Sequence, residues 1–280
     1  MNIEEFSNKI EALVEDIYQE SVQNQGAAWK DMYKKVDGRL AENASFINEA
    51  TADWTIQEWK ELFIYQINIG NPDVFAFIAS KIEELTQGQY FKECIAENIS
   101  VLEKNVYSCD DKEALQKSDM LLSAVKALNR ISSPSAKAEC EQAFRTCDTV
   151  NEHILYELAE YVAAQCVEKL PALIEDESIE GDKLVALLSM CIQENKKSDD
   201  IYGAMKRRFK KLPDNSETKD IFAAIFGDYG EPNAIMMLRK FAKTLIASYA
   251  EDGNRETFSR IMMVMSVIEG LGGITDDLMP

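Results

Sequence analysis

The sequence predicts an all-α protein arranged as an α-α superhelix of antiparallel helix hairpins, with an irregular multi-helix bundle as the alternative. Three observations carry this. Apolar residues recur at three- and four-residue spacing along the chain, and no segment alternates with period two over a strand's length. Glycine (12) and proline (6) are scarce in 280 residues, whereas a β protein would spend them on many turns. Helix starts near 182 and 216, and again near 198 and 232, are each about 34 residues apart, which fits a two-helix repeat. With 46% apolar and 9% aromatic residues, a packed core is expected and disorder is not.

The elements follow in order. Ile3, Phe6, Ile10, Leu13, Val14, Ile17 and Tyr18 share one face of a first helix. In TIQEWKELFIYQINIG, Thr55 and Glu58 have the spacing of a capping box and Gly70 closes the helix. NPDVFAFIASKIEELTQG follows with Asn71 as cap, Pro72 at the first helical position and Gly88 as left-handed closing residue. A segment from Asp111 to Arg130 comes next, then a start at Ser133–Pro134, then a second capping box at Thr149 and Glu152. Leu158, Tyr161, Val162, Cys166 and Leu170 form the stripe after it. Later starts fall near Gly181, Ser198, Ser216, Pro232 and Asn254, giving about eleven to thirteen helices. Connections this short make neighbours antiparallel. Two regions are expected, 1–130 and 131–280, joined in one continuous array.

The stretch IFGDYGEPNAIMML breaks an apolar helix with Gly227, Gly230 and Pro232 and restarts it at once. Glycine permits a left-handed closing residue, and proline presets the first turn of the next helix. Gly227, Gly230, Glu231, Pro232, Ala234, Ile235 and Leu238 resemble the Gly-Asp-Pro-type corner of short bacterial HEAT-like repeats. Gly70, Pro72, Val74, Phe75 and Ile78 stand in the same register in a poorer second copy. Two departures are Glu231 for the usual Asp and Met236 where a second proline often stands. The resemblance covers Gly181 to the C-terminus and implies stacked hairpins whose function is protein binding.

Charge narrows the function. The chain has 49 acidic and 30 basic residues and a net charge of −19. Divided after Arg130, it has 23 acids and 13 bases, then 26 and 17, so no acidic tail is responsible. Such a surface disfavours nucleic acid and anionic membranes and favours a basic protein partner. The N-terminus MNIEEFSNKIEALVEDIY has acids where an export signal would have lysines. The longest near-continuous apolar run, Ile261 to Ile268, is too short to cross a bilayer. Cys94, Cys109, Cys140, Cys147, Cys166 and Cys191 include no CxxC pair and read as reduced thiols in a cytoplasmic protein.

No reaction is legible. The single histidine, His153, has Glu157 one turn on, but a di-metal bundle needs a repeated Glu-x-x-His motif, and the chain has no second histidine. Cys140 and Cys147 have no second pair to complete a zinc site. The doublets Asp110–Asp111, Asp199–Asp200 and Asp276–Asp277 lack magnesium-motif spacing, and the first two suit helix N-termini. EDESIEGD, Glu175 to Asp182, lacks calcium-loop order and reads as a solvated linker. No phosphate loop or nucleophile elbow occurs. One motif opposes the chain's sign: KRRFKKL places Lys206, Arg207, Arg208, Lys210 and Lys211 at the end of a helix. Helix-dipole compensation accounts for part of it, and the rest is a candidate patch for an acidic partner. The expected function is a non-catalytic scaffold or adaptor that binds a basic protein and needs no cofactor or metal. The alternative is a helical-repeat lyase or other helical enzyme acting on a small molecule, since some relatives of such repeats modify chromophores.

Overall fold

A computed structural model describes residues 1–23, 29–69, 75–103 and 111–278. Among the described residues there are fifteen α-helices and no strand, so the chain is all-α. In order they are α1 (Ile3–Gln23), α2 (Trp29–Glu42), α3 (Ala44–Ala50), α4 (Ile56–Asn68), α5 (Ala76–Thr86), α6 (Gln89–Asn98), α7 (Lys112–Ile131) and α8 (Lys137–Thr146). There follow α9 (Glu152–Gln165), α10 (Leu170–Glu175), α11 (Gly181–Gln193), α12 (Asp199–Lys211), α13 (Glu217–Tyr229), α14 (Ile235–Asp252) and α15 (Arg255–Gly270). The count exceeds expectation because α3 and α10, of seven and six residues, are too short to show a period.

Local capping chemistry sets most starts. Thr55 and Glu58 form the expected capping box on α4. Asp111 caps α7 by accepting from the Glu113 and Ala114 N–H groups, and Ser198 and Asn254 cap α12 and α15. Two starts are shifted. Helix α8 begins at Lys137, after a turn in which Ser132 is left-handed, and not at Ser133–Pro134. Before α9, Asp148 accepts from the Val150 N–H, and the buried Asn151 donates to the Leu102 carbonyl. The corner copy at Gly70, Pro72 and Val74, with Asn71, lies outside the described residues.

The chain divides into two compact units, Met1–Tyr161 and Val162–Pro280. In the first, α1 packs on α2 and α4, α4 on α5 and α7, and α6 on α7 and α8. Phe6, Trp54, Trp59 and Phe77 interlock edge to face at centroid distances of 4.9 to 6.4 Å. Gln66 donates to Ser7 inside that core at 2.7 Å.

In the second unit the helices form two rows. Helix α12 runs antiparallel to α13: Lys219, near the start of α13, reaches the end of α12, and Tyr229 at its far end reaches Ser198. Helix α15 runs parallel to α13, with Arg260 on Asp220 and Val267 against Gly227. Helix α14 returns against α15, its Ile235 packing on Gly273 and its Phe241 lying beside Arg260. The end of α10 lies beside the end of α12, and α11 packs on α13. So α10, α12 and α14 run one way, and α13 and α15 the other. Helix α13 is the most enclosed, burying Phe222, Ala223, Ile225, Phe226 and Tyr229. At its end Gly230 takes φ 71, which favours glycine. Glu231 then accepts from the Asn233 N–H at 3.2 Å, and Pro232 opens a single 3-10 turn before α14.

Candidate functional site

The basic cluster lies in the last two turns of α12, and the fold divides its five cations. Helical spacing forces this: Met205, Arg208 and Phe209 lie on the buried face, while Lys206, Arg207, Lys210 and Lys211 turn outward. Arg208 is only 4% exposed. Its Nη1 donates to the Ile174 carbonyl at 2.9 Å, satisfying an orphan acceptor at the end of α10. The guanidinium lies 5.7 Å from the Phe222 ring centroid, and its buried Nε has no partner. Burial pulls its pKa below the usual arginine range, against the upward pull of Asp176, Glu177 and Glu180.

Arg207 makes two hydrogen bonds to Glu175 Oε1, at 2.9 Å from Nε and 2.6 Å from Nη2. That guanidinium holds the Glu175 carboxyl below the ordinary carboxylate range. The acidic segment after α10 is therefore fastened and not a free linker. Ile179 within it is 1% exposed, and Asp176 folds the turn by accepting from the N–H and hydroxyl of Ser178. Thus α12 already holds the end of α10, including one carboxylate, Glu175, of its own chain. Lys206 lies 5.0 Å from the Tyr202 ring centroid, and Lys210 and Lys211 are exposed.

Two anchors nearby, one buried and one half-buried, have no signature in the sequence. Lys219 is 6% exposed and donates to the Leu212 carbonyl at 2.8 Å and to Asp214 at 2.6 Å. Its ammonium also lies 4.9 Å from Phe209 and 5.3 Å from Phe241. Arg260 holds the same turn through Asp220 and the Asp214 carbonyl. A lysine inside an apolar helix gives no hint that it will face two rings and a helix end.

The other candidates are dispersed. His153 is exposed at the start of α9, and Glu157 accepts from Asn129 at 3.0 Å. Cys94, Cys140, Cys147, Cys166 and Cys191 are buried, and Cys109 lies outside the described residues with Asp110. Asp199 and Asp200 occupy the first turn of α12, whereas Asp277 pairs with Arg239. Among the described residues no group of three or more His, Cys, Asp or Glu side chains is placed to hold a metal ion. A surface cleft between the turns after α5 and α7 brings Glu83 onto Ser133, with no third ligand-type side chain beyond neighbouring Glu84. Among the described residues no helix is long and apolar enough to cross a membrane. No family model matches the chain, and no curated protein or solved structure does.

Proposed function

We propose that the protein is a non-catalytic, HEAT-like helical scaffold whose first unit binds a basic protein partner. The observation that carries this is the distribution of charge over the two units. The first has 29 acidic and 15 basic residues and the second 20 and 15. Divided where the fold divides, the negative excess is concentrated in the first unit. Its exposed helix faces display the acids, as Glu4, Glu5, Glu15, Asp16 and Glu20 do along α1. Such a surface steers a basic partner and repels polyphosphates. The two-row packing of the second unit suits a scaffold, since each hairpin is held by its neighbours and leaves outer faces free.

The test is affinity capture from extract of the source cells at about 50 and 300 mM salt, with identification of what elutes. The reading requires a basic protein, released by salt, whose binding falls when Glu4, Glu5, Glu15 and Glu20 are changed to Gln. It fails if the captured protein is acidic, if the variant binds equally, or if the purified chain turns over a small molecule.

A further inference from the structure

We infer that the outward face shared by α12 and α14 is a docking surface for an acidic segment of a second protein. This concerns the second unit and a partner of opposite sign, so it stands apart from the function proposed above. It starts from a separation of charge. No acidic residue occurs from Ile201 to Lys211 or from Ile235 to Ala250, although the chain carries 49. Those stretches hold eight cations. Arg207, Arg208 and Arg239 are engaged with Glu175, Ile174 and Asp277. The five lysines, Lys206, Lys210, Lys211, Lys240 and Lys243, have no ion pair among the described residues.

The fold brings three of the lysines to one side. Helices α12 and α14 lie in the same row and run parallel, and their Phe209 and Phe241 rings meet edge-on at 5.5 Å. In an α-helix each residue advances by about 100°. Lys210 follows Phe209 by one such step and Lys240 precedes Phe241 by one. For parallel helices that face each other through the two rings, these opposite rotations turn both lysines to the same side. The buried residues Arg208 and Ala242 lie on the other side, toward α13. Lys206, three residues before Phe209, flanks the pair on α12, whereas Lys211 and Lys243, each two residues after its ring residue, turn to the outer edges toward Glu175 and Asp277.

Lys206, Lys210 and Lys240, gathered on one side of a chain of opposite net sign, repel one another, and an anion laid over them relieves that repulsion. The kind of anion is indicated by α12 itself. Arg207 and Arg208 on this helix already receive the end of α10 through the Glu175 carboxylate and the Ile174 main-chain carbonyl, groups that a polypeptide presents together. The lysines extend that surface toward α14. An extended nucleic acid or an anionic membrane suits it less, because either would also meet the negative remainder of the chain, which a short acidic segment avoids.

The test uses the whole chain and a fluorescein-labelled poly-glutamate peptide of about sixteen residues, followed by anisotropy at about 50 and 150 mM salt. Two triple variants are compared. One carries K206E, K210E and K240E. The other, K9E, K34E and K117E, changes net charge equally on exposed lysines of the first unit. Saturable binding that weakens about tenfold or more in the first variant and much less in the second is expected. Lys→Gln at the same three positions, giving an intermediate loss, keeps the comparison valid if the charge reversal unfolds the chain by circular dichroism. No binding, or equal loss in both variants, overturns the inference. So does duplex DNA or a phosphatidylserine vesicle bound as tightly as the peptide. A wild-type dimer abolished by the first variant overturns it in favour of a second copy.

Discussion

The Tyr229 hydroxyl accepts from the Ser198 N–H at 2.8 Å and donates to the Ser198 carbonyl at 3.1 Å. A residue at the end of α13 thereby closes on the residue that caps α12, one hairpin corner fastening the one before it. Burial raises the Tyr229 phenol above its usual pKa, which keeps it protonated and able to donate. Tyr229→Phe removes both bonds, and the half-buried Ser198 groups lose their partner. The expected cost is about 1–2 kcal/mol, read as a lower urea midpoint with an unchanged slope. An unaltered midpoint would show that water replaces the hydroxyl without loss.

Substitutions along KRRFKKL separate its cations. Arg208→Ala leaves a cavity beside Phe222 and an uncapped end on α10, and should cost about 2–4 kcal/mol. Lys210→Ala and Lys211→Ala, on exposed side chains without ion pairs, should leave the melting temperature unchanged within error. Thermal melts of the three variants decide this, and equal effects at all three positions would contradict the division.

Lys219 should behave like a core residue although it is a lysine. Lys219→Ala strands the Leu212 carbonyl, leaves Asp214 without its cation and opens space between Phe209 and Phe241. The expected loss is about 2–3 kcal/mol, from the stranded carbonyl and the lost ring contacts, because Asp214 is half exposed and its charge stays solvated. Lys219→Met keeps the volume and the ring contacts, so it should recover part of that loss in the same denaturation assay.

These anchors also mark what sequence alone conveys. The all-α class and the caps at Thr55, Asp111, Ser198 and Asn254 were readable because capping is settled within three or four residues. The turn before α9 was not: Thr149 and Glu152 had the right spacing, but Asn151 found its acceptor at Leu102, far back in the chain. The same limit hid the candidate site's inner half. KRRFKKL is conspicuous by composition, and helical spacing divides it, yet the partners Ile174, Glu175 and Phe222 are brought to α12 only by packing. The concentration of acid in the first unit was obscured by dividing the charges at Arg130 instead of where the fold divides.

Alkali should loosen the fold through its thiols. Burial pushes Cys94 up to about 11 and Cys191 up to about 12. An unfolded thiol ionises near about 8.5. The raised folded values mean that their contribution is complete below about pH 8.5 and is lost as pH rises through about 11 to 12. The urea midpoint should therefore fall steadily between about pH 8.5 and 10.5, and a thiol reagent at pH 8 should react slowly until denaturant is added. A flat midpoint over that range, or immediate reaction of Cys94 and Cys191 in the native protein, would contradict the burial of both.

The register of α13 against α15 rests on two contacts seven residues apart in each helix, Asp220 with Arg260 and Gly227 with Val267. Gly227 is helical, so alanine there would ordinarily stabilise by about 1 kcal/mol. A Cβ at that position would lie 3.1 Å from Val267 Cγ1 and 3.6 Å from Cγ2, closer than the neighbour can accept unmoved. Valine in a helix is confined almost entirely to one χ1 rotamer, so it cannot swing aside, and the whole of α15 must shift instead. The steric cost outweighs the propensity gain, and Gly227→Ala should destabilise by about 1 kcal/mol. Val267→Ala alone should cost about as much, by loss of apolar contact. The double variant removes the clash and keeps the helix gain, so it should be more stable than the sum of the two by about 1–2 kcal/mol. Additive single effects would mean that the two residues do not touch, and the parallel packing of α13 on α15 would lose one of its two ties.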